Sequence, residues 1–229
     1  MECLKPIYGC AADLVLLDCG KPVEGPDTLL SICRFVSMEF TPVYEEGTEI
    51  KLNDAKGRPC VDEAGCSYLS YYDVAIEMCG ISATHTAWLS GDRLVPETSG
   101  AVFGSRTDCA PFFGMRVWQE LGGGGRKLCS EDGEQQHLVH HFACLTDFRM
   151  TGSFTLGEDV TRQTMTAKAY PNYGTYGTGP WDSWTEAWFD EEIHGYQLET
   201  TPLPDCDEKD CALLPFVAPE GVLAGPGVG

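Results

Sequence analysis

Alternation of apolar and polar residues is the dominant pattern along this chain, and it predicts β-strands. Successive side chains of a strand point to opposite faces of a sheet, so a two-residue period indicates one buried and one solvated face. Residues 28–43 show this period and are predicted to form one half-buried strand. The apolar side chains on its buried face are Ile32, Val36, Met38 and Phe40. Residues 72–79 alternate more regularly, and their apolar face consists of Tyr72, Val74, Ile76 and Met78.

The middle of the chain predicts one short helix followed by further strands. Ser82 can cap the first amides of a helix over residues 83–90, and Gly91 fits a left-handed stop. Gly122–Gly125 predicts a flexible loop tip. Three segments alternate again and are predicted as strands: residues 115–121, 137–144 and 147–156. The last of them collects on one face Phe148, Met150, Phe154 and Leu156.

Residues 160–170 predict a strand in which neither face is strongly apolar. One face carries Thr161, Gln163 and Ala167, and the other carries Arg162, Thr164, Thr166 and Lys168. The residues alone leave two alternatives open: a solvated strand at the edge of a sheet, or a strand that lines a water-filled channel.

Both ends of the chain differ in composition from its middle. Residues 1–27 predict an N-terminal arm and first strand that ends in a turn, and residues 28–199 predict one β-rich domain. Residues 200–229 are punctuated by proline and glycine and predict an extended C-terminal arm.

Charge limits the classes of partner. The 229 residues include 15 Lys and Arg against 35 Asp and Glu, which gives a formal net charge of -20. This balance argues against a protein that grips phosphate backbones and against one that binds anionic membranes. No apolar stretch approaches the roughly 20 residues of a membrane span, and no secretory signal is recognisable. We therefore expect the protein to be made and kept in a cytoplasm.

Twelve scattered cysteines form no C-x-x-C motif. The closest pairs are Cys60/Cys66 and Cys206/Cys211. Reduced, buried thiols and disulfides formed in an oxidising medium both stay open, and metal binding is a third reading. The nearest approach to a zinc site is the set Cys129, His137, His140, His141 and Cys144. A helix would bring most of that set to one side, but the flanking pattern favours a strand, which separates His137 and His141 from His140 and Cys144.

The remaining candidate sites are weak. Asp205–Asp210 resembles a calcium loop but lacks its glycine, and Gly174–Gly179 lacks the helix that a phosphate-binding loop needs. Adjacent acids are common in so acidic a chain and carry no weight as acid–base pairs: Asp62/Glu63, Glu158/Asp159 and Asp190/Glu191/Glu192. No hydrolase, metalloprotease or nucleotide-binding motif occurs. We therefore predict no catalytic, cofactor or metal-binding residue, and a protein that is not an enzyme.

One aromatic-rich patch offers either a sugar-stacking surface or ordinary core and interface packing. It comprises Tyr170, Tyr173, Tyr176, Trp181, Trp184 and Trp188.

Several segments, taken in order over residues 18–185, resemble the tail tube (major tail) proteins of long-tailed bacteriophages. DCGKPVEG resembles the family's early strand and turn, and VSMEFTPVYEEGTEIKLNDAKGRPCVDEAG its first long hairpin with an acidic tip. YYDVAIEMCGISATHTAWLSG resembles its strand-then-helix unit. GMRVWQEL resembles the strand that follows, and YGTGPWDSW a later glycine–proline turn. Gly122–Gly125 and the tail beyond Tyr196 depart from the family pattern.

The resemblance implies a mainly β fold, a β-sandwich or partly closed barrel with one short flanking helix and extended termini. It implies that six copies form a ring through β-barrel pairing between subunits, and that rings stack into a tube. The implied partners are further copies of the chain, the tape measure protein, the tail terminator, the tail tip proteins, and genomic DNA in transit without specific binding. The implied location is the virion tail, assembled in the host cytoplasm without a membrane.

Within this reading the acidity has a use, because acidic walls repel DNA phosphates. Screening limits the effect to about 8 Å at physiological salt, so only acids that face the bore matter. The same acidity could also serve solubility alone. A β-sandwich carbohydrate-binding module using the aromatic patch is the alternative reading, and a zinc hydrolase centred on His137–Cys144 is a third. The channel alternative for residues 160–170 fits the tail tube reading best.

Overall fold

The protein is described by a computed structural model and is mainly β. The described residues are 5–33, 35–48, 50–53, 56, 59–63, 65–79, 83–92, 94–95, 102–103, 110–123, 126–127, 135–151, 162–171, 193–200, 203–204 and 211–216. Within them no helix is both long enough and apolar enough to cross a membrane.

The elements follow one another as strands with a single described helix, α1 (Ala83–Ser90). The strands before it are β1 (Lys5–Asp18), β2 (Lys21–Pro22), β3 (Gly25–Ile32), β4 (Phe35–Glu45), β5 (Ile50–Asn53), β6 (Pro59–Glu63) and β7 (Tyr68–Cys79). The strands after it are β8 (Leu94–Val95), β9 (Val102–Phe103), β10 (Phe112–Gly123), β11 (Arg126–Lys127), β12 (His137–Thr151), β13 (Arg162–Tyr170), β14 (His194–Glu199) and β15 (Cys211–Phe216).

One large antiparallel sheet organises the molecule, in the order β15-β3-β1-β10-β12-β13-β7-β4. The sheet is not closed, and its shape is consistent with a β-sandwich. Strand β12 belongs to both halves: its first residues pair with β10 and β14, and its last residues pair with β13. A shift in register between Thr146 and Arg149, with Asp147 at φ 62°, separates these two parts of β12. Strands that pass from one layer to another at such an irregularity form the corners of sandwiches.

The main core lies inside the curl of this sheet. Its largest fully buried side chains include Phe113, Phe142 and Phe148, and α1 adds Leu89. Burial of each such side chain contributes about 1.5–3 kcal/mol. Strand β4 crosses over β1 at Gly9, where the ring of Phe35 packs directly on the glycine. A Cβ at this position would come within 2.5 Å of the Phe35 ring.

The helix and the faces of β7 match the sequence predictions. Helix α1 ends where Gly91 takes φ 74°, and the amide of Gly91 donates to the carbonyl of Ala87 at 2.9 Å. Val74, Ile76 and Met78 are buried, and Asp73 is exposed. The predicted cap Ser82 lies outside the described residues.

The prediction of one strand over residues 28–43 is wrong. Strand β3 ends at Ile32, β4 begins at Phe35, and the two pair with different strands. A register shift between Phe35 and Ser37 then changes the phase of β4, so Phe35 packs on the core and Val36 is 43% exposed. The alternation in the sequence continued across the break and concealed it.

The two strands predicted over residues 137–156 are one strand, β12, as far as Thr151. The irregularity at Asp147 interrupts the alternation without ending the strand. Phe148 is buried and Met150 is 45% exposed, whereas Phe154 and Leu156 lie outside the described residues. At the predicted loop tip, Gly122 and Gly123 continue β10 and pair with β11, while Gly124 and Gly125 are outside the described residues.

Strand β13 settles one of the two alternatives for residues 160–170. It pairs with β12 on one side and β7 on the other, so the reading as a solvated edge strand is wrong. One of its faces is buried, through Met165, Ala167 and Ala169. The small volume of the two alanines concealed this face in the sequence.

Both ends of the chain supply strands to the sheet. Strand β1 lies between β3 and β10, and Ala12 and Leu14 on it are fully buried. Residues 211–216, which the sequence assigned to a C-terminal arm, form β15 and pair with β3.

A hairpin, β5–β6, extends from the ends of β4 and β7 and corresponds to the predicted long hairpin. Gly47 and Gly65 meet at its base, where a Cβ on Gly47 would come within 2.6 Å of the carbonyl oxygen of Cys66. Glu45 also fixes this base, because it accepts hydrogen bonds from Tyr68 Oη at 2.8 Å and Ser70 Oγ at 2.9 Å. These two bonds hold the pKa of Glu45 below its ordinary value.

Candidate assembly site

Four consecutive strands, β12, β13, β7 and β4, present a face on which most of the described side chains are polar. Cross-strand pairing aligns its side chains, because opposed residues of neighbouring strands share a face. We call this the polar sheet face. Its members are Ser37, Glu39, Thr41, Asp73, Ala75, Glu77, Asp147, Arg149, Thr151, Thr164, Thr166 and Lys168. The opposite side of the same strands packs on the main core.

Charges on the polar sheet face are nearly balanced. Lys168 lies opposite Asp73 in the ladder, with its Nζ 4.4 Å from the ring centroid of Tyr71. Arg149 donates from Nη2 to Oδ1 of Asp147 at 2.7 Å. With Glu39 and Glu77 the face has four acids, and the register of β13 adds Arg162 to its two other bases, which gives a formal charge of -1. Most of the negative charge of the chain therefore lies elsewhere.

Strand β4 forms one edge of the polar sheet face. It pairs with β7 and, within the described residues, with no other strand. Proline lacks the N–H that a ladder needs, so Pro42 marks a position whose backbone points away from β7. The register is unbroken from Ser37 to Val43, so the backbone groups of Met38 and Phe40 point away from β7 as well. The edge thus presents outward amides and carbonyls to another strand.

The last residues of β12 form the opposite edge. The ladder between β10 and β12 ends at Leu145, and from Arg149 to Thr151 the described partner of β12 is β13 alone. The four strands alternate in direction, so β4 and this part of β12 run antiparallel to each other. A β4 edge and a β12 edge from two copies in the same orientation would therefore meet as an antiparallel pair.

The candidate zinc residues are not brought together. His137 and His141 are buried, and His141 bonds to Glu199, whereas His140 bonds to His194 and Gln119. Burial raises the pKa of Cys144 to about 11, which favours the thiol form in this structure. Among the residues that the structure describes, no three His, Cys, Asp or Glu side chains are placed to hold a metal ion. Cys129 lies outside the described residues.

His140 and His194 form a pair that the sequence did not indicate. His140 Nδ1 is 3.1 Å from His194 Nε2, the ring centroids are 5.3 Å apart and the rings are within 7° of parallel. With the two nitrogens 3.1 Å apart, the ring centroids could be only slightly farther apart than the observed 5.3 Å. The imidazoles therefore lie edge to edge and are not stacked face to face. Two nitrogens pointed at one another this closely leave no room for a metal at about 2.0–2.1 Å from each. The contact is a hydrogen bond between the rings.

Strands β1, β3 and β10 hold a buried polar network. Arg116 donates to Oδ2 of Asp13 from Nε at 3.2 Å and Nη2 at 3.0 Å, and Ser31 Oγ donates to Asp13 Oδ1 at 2.6 Å. The guanidinium lies 4.4 Å from the ring centroid of Trp118. Burial lowers the pKa of Arg116, and the carboxylate of Asp13 opposes that shift. The alternation over residues 115–121 predicted a strand but did not indicate that the side carrying Arg116 is covered.

Removing one charge of this pair should cost more than removing both. In D13L the buried guanidinium loses its carboxylate, and we expect the free energy of unfolding to fall by about 3 kcal/mol. In D13L/R116M both charges are replaced by apolar groups, and we expect a clearly smaller loss. Urea unfolding of both variants, followed by tryptophan fluorescence, measures the difference. A double variant as unstable as D13L would contradict this account.

The other sequence candidates fall partly or wholly outside the described residues. These are Asp205–Asp210, Gly174–Gly179 and most of the aromatic patch: Tyr173, Tyr176, Trp181, Trp184 and Trp188. Tyr170 is half-buried, with its ring centroid 5.5 Å from that of Tyr71. Of the cysteines, Cys33 is disulfide-bonded. Cys10, Cys19, Cys66 and Cys144 are thiols outside any disulfide bond.

Comparison with known proteins adds no assignment. No protein-family model matches the chain, and no curated protein matches it either.

Proposed function

We propose that this chain is a structural subunit of a phage tail tube. Copies join side by side into a ring, the polar sheet face lines the lumen, and stacked rings form the conduit through which DNA is ejected. The observation that carries the proposal is the four-stranded sheet, whose outer face is mostly polar and whose two edges have no further partner strand among the described residues. The resemblance of the sequence supplies the rest, including six copies in a ring.

The edges support ring formation because they are different and complementary. A contact between β4 of one copy and the end of β12 of the next is head-to-tail, and such contacts close into rings when the rotation allows it. Each contact gives backbone groups of Met38 and Phe40 a partner strand. A closed barrel also removes exposed edges, which otherwise invite unspecific aggregation.

The polar sheet face suits a wet lumen. Six copies with four strands each give a barrel of about 24 strands, and barrels of about 16–18 strands already enclose an aqueous channel. Short polar side chains on this face, such as Thr164 and Thr166, give the wall little apolar surface. The slight excess of acids disfavours contact with DNA phosphates.

Partners beyond further copies rest on the resemblance. They are the tape measure protein, the tail terminator and the tail tip proteins, and the site of action is the virion tail after assembly in the host cytoplasm. The function needs no catalytic residue, because the chain acts by assembly.

Electron microscopy of the concentrated protein tests the proposal. We expect rings or hollow rods in negative stain, and hydrogen exchange should show the amides of Met38 and Phe40 protected in the assembled fraction but not in the monomer. Protein that stays monomeric across the concentration range would overturn the proposal. Assemblies in which these two amides remain unprotected would do the same.

A further inference from the structure

The hydrogen bonds of the His140–His194 pair define where its protons lie. Gln119 Oε1 accepts from His140 Nε2 at 3.2 Å, so the neutral His140 ring keeps an unprotonated Nδ1. That Nδ1 then accepts from His194 Nε2–H at 3.1 Å. The chain of donors therefore runs from His194 through His140 to Gln119, with one proton in each contact.

This arrangement tolerates little added charge. Protonation of His140 puts a second N–H at Nδ1, directly against the N–H of His194. Protonation of His194 places a cation beside apolar rings, because its ring centroid lies 4.5 Å from that of Phe142 and 5.8 Å from that of Tyr72. Burial and the neighbouring His140 lower the pKa of His194 to about 4.

Among the described residues no carboxylate shifts the pKa of either ring, and the carboxylate of β14, Glu199, bonds to His141 instead. Strand β10 contributes the uncharged Gln119, and β4 reaches the pair through Phe40, whose ring stacks on Phe142 at 4.3 Å. The titratable groups that face or influence the pair are Tyr72 on β7, Tyr196 on β14 and His141 on β12.

We propose that the His140–His194 pair is an acid-sensitive latch that holds β14 on β12. In the pairing of these strands His140 is opposite Tyr196, and His194 is opposite Phe142. The two histidines of the latch are therefore diagonal neighbours across the ladder between β12 and the short strand β14. When β14 separates, both rings reach water and can take up protons. Acid therefore favours separation of β14, and neutral pH favours the paired state.

The direction and the size of the pH effect on the pairing of β14 follow from proton linkage. Each ring binds a proton near its ordinary pKa of 6.5 in the open state and only at lower pH in the paired state, where the value for His194 is about 4. The open-to-paired ratio rises by up to about tenfold per histidine for each pH unit below 6.5. The latch is fully closed above this range and is lost as the pH falls through it.

The latch does not depend on the proposed function. Strand β14 pairs with the first half of β12, whereas the edge proposed for ring contact is the last part of β12. A result on one is therefore separable from a result on the other.

Hydrogen exchange of the full chain, measured as protection factors of the β14 amides at pH 7 and pH 5, tests the proposal. We expect at least about a tenfold drop in the wild type and a clearly smaller drop in H140Q/H194Q, in which glutamine does not titrate and His141, bonded to Glu199 of β14, is the remaining titrating histidine of this β12–β14 contact. The matched control is H85Q, since His85 is a half-buried histidine on α1, and it should behave as wild type. Constant protection in the wild type, or an effect of H85Q equal to that of the double variant, would overturn the proposal.

Nuclear magnetic resonance titration of the wild type keeps the test decisive if the double variant does not fold. We expect the rings of His140 and His194 to titrate together and well below pH 6.5. Two independent titrations near 6.5 would overturn the latch.

Discussion

Replacing Met38 by proline should prevent ring formation, whereas replacing it by alanine should not. Both variants lose the half-buried side chain of Met38 and its packing on the main core. Only the proline variant also loses the outward amide of β4 and places a pyrrolidine ring on the edge. Since Pro42 already occupies an equivalent position of the same strand, the ladder between β4 and β7 should survive the change.

The expected effect is large because it recurs at every contact of the ring. One backbone hydrogen bond contributes about 0.5–1.5 kcal/mol, and the proline ring also crowds the incoming strand. We expect M38P to raise the protein concentration needed for assembly at least tenfold (roughly 1.4 kcal/mol per contact) relative to M38A. Sedimentation velocity across a concentration series gives the assembled fraction, and circular dichroism verifies that both monomers are folded. Equal assembly of the two folded variants would show that the β4 edge is not the contact.

The sequence predicted the secondary structure best where a single local feature determines the structure. The faces of β7 follow from strict alternation over a strand that is buried on one side. Helix α1 follows from its position before Gly91, because glycine takes the positive φ of 74° without steric cost. Both features are determined by residues that are close in sequence, so a local sequence pattern is enough to predict them.

Irregular strands were predicted less well, because the alternation of apolar and polar residues does not show where a register shift exchanges the buried and exposed positions of a strand. The register shift at Phe35/Ser37 moved Val36 to solvent, and the irregularity at Asp147 joined two predicted strands into one. In β13 the buried face is made partly of alanine, so hydropathy alone did not distinguish a central strand from an edge. Neighbouring strands decide each of these outcomes, and they lie far away in sequence.

The buried polar groups could not be predicted for the same reason. Asp13 and Arg116 are 103 residues apart, and His140 and His194 are 54 apart. Nothing in either local sequence distinguishes these residues from solvated ones. The edges of the polar sheet face were partly predictable, since the proline within β4 is typical of an edge strand.

The distribution of charge changes how the acidity of the chain should be understood. A net charge of -20 suggested strongly acidic lumen walls, but the polar sheet face has a formal charge of only -1 when Arg162 is counted. Within a Debye length of about 8 Å, local charges dominate over the total. In the proposed tube this face would disfavour adhesion of DNA, because Arg149 donates to Asp147 and Lys168 lies opposite Asp73 in the ladder.

Reversing the charge of Glu39 and Glu77 should therefore make assembled tubes hold DNA. E39K/E77K raises the formal charge of the polar sheet face by 4, from -1 to +3, and six copies repeat that change around each ring. Lysine contacts with phosphates release counterions, so DNA binding should appear and weaken steeply with salt, with a slope of about -0.9 per phosphate contacted. The control, D18K/E46K, makes the same charge change at two exposed acids outside this face. Cosedimentation of tubes with duplex DNA between low and physiological salt measures binding. If the control retains DNA as strongly as E39K/E77K, total charge governs adhesion and the polar sheet face does not line the lumen.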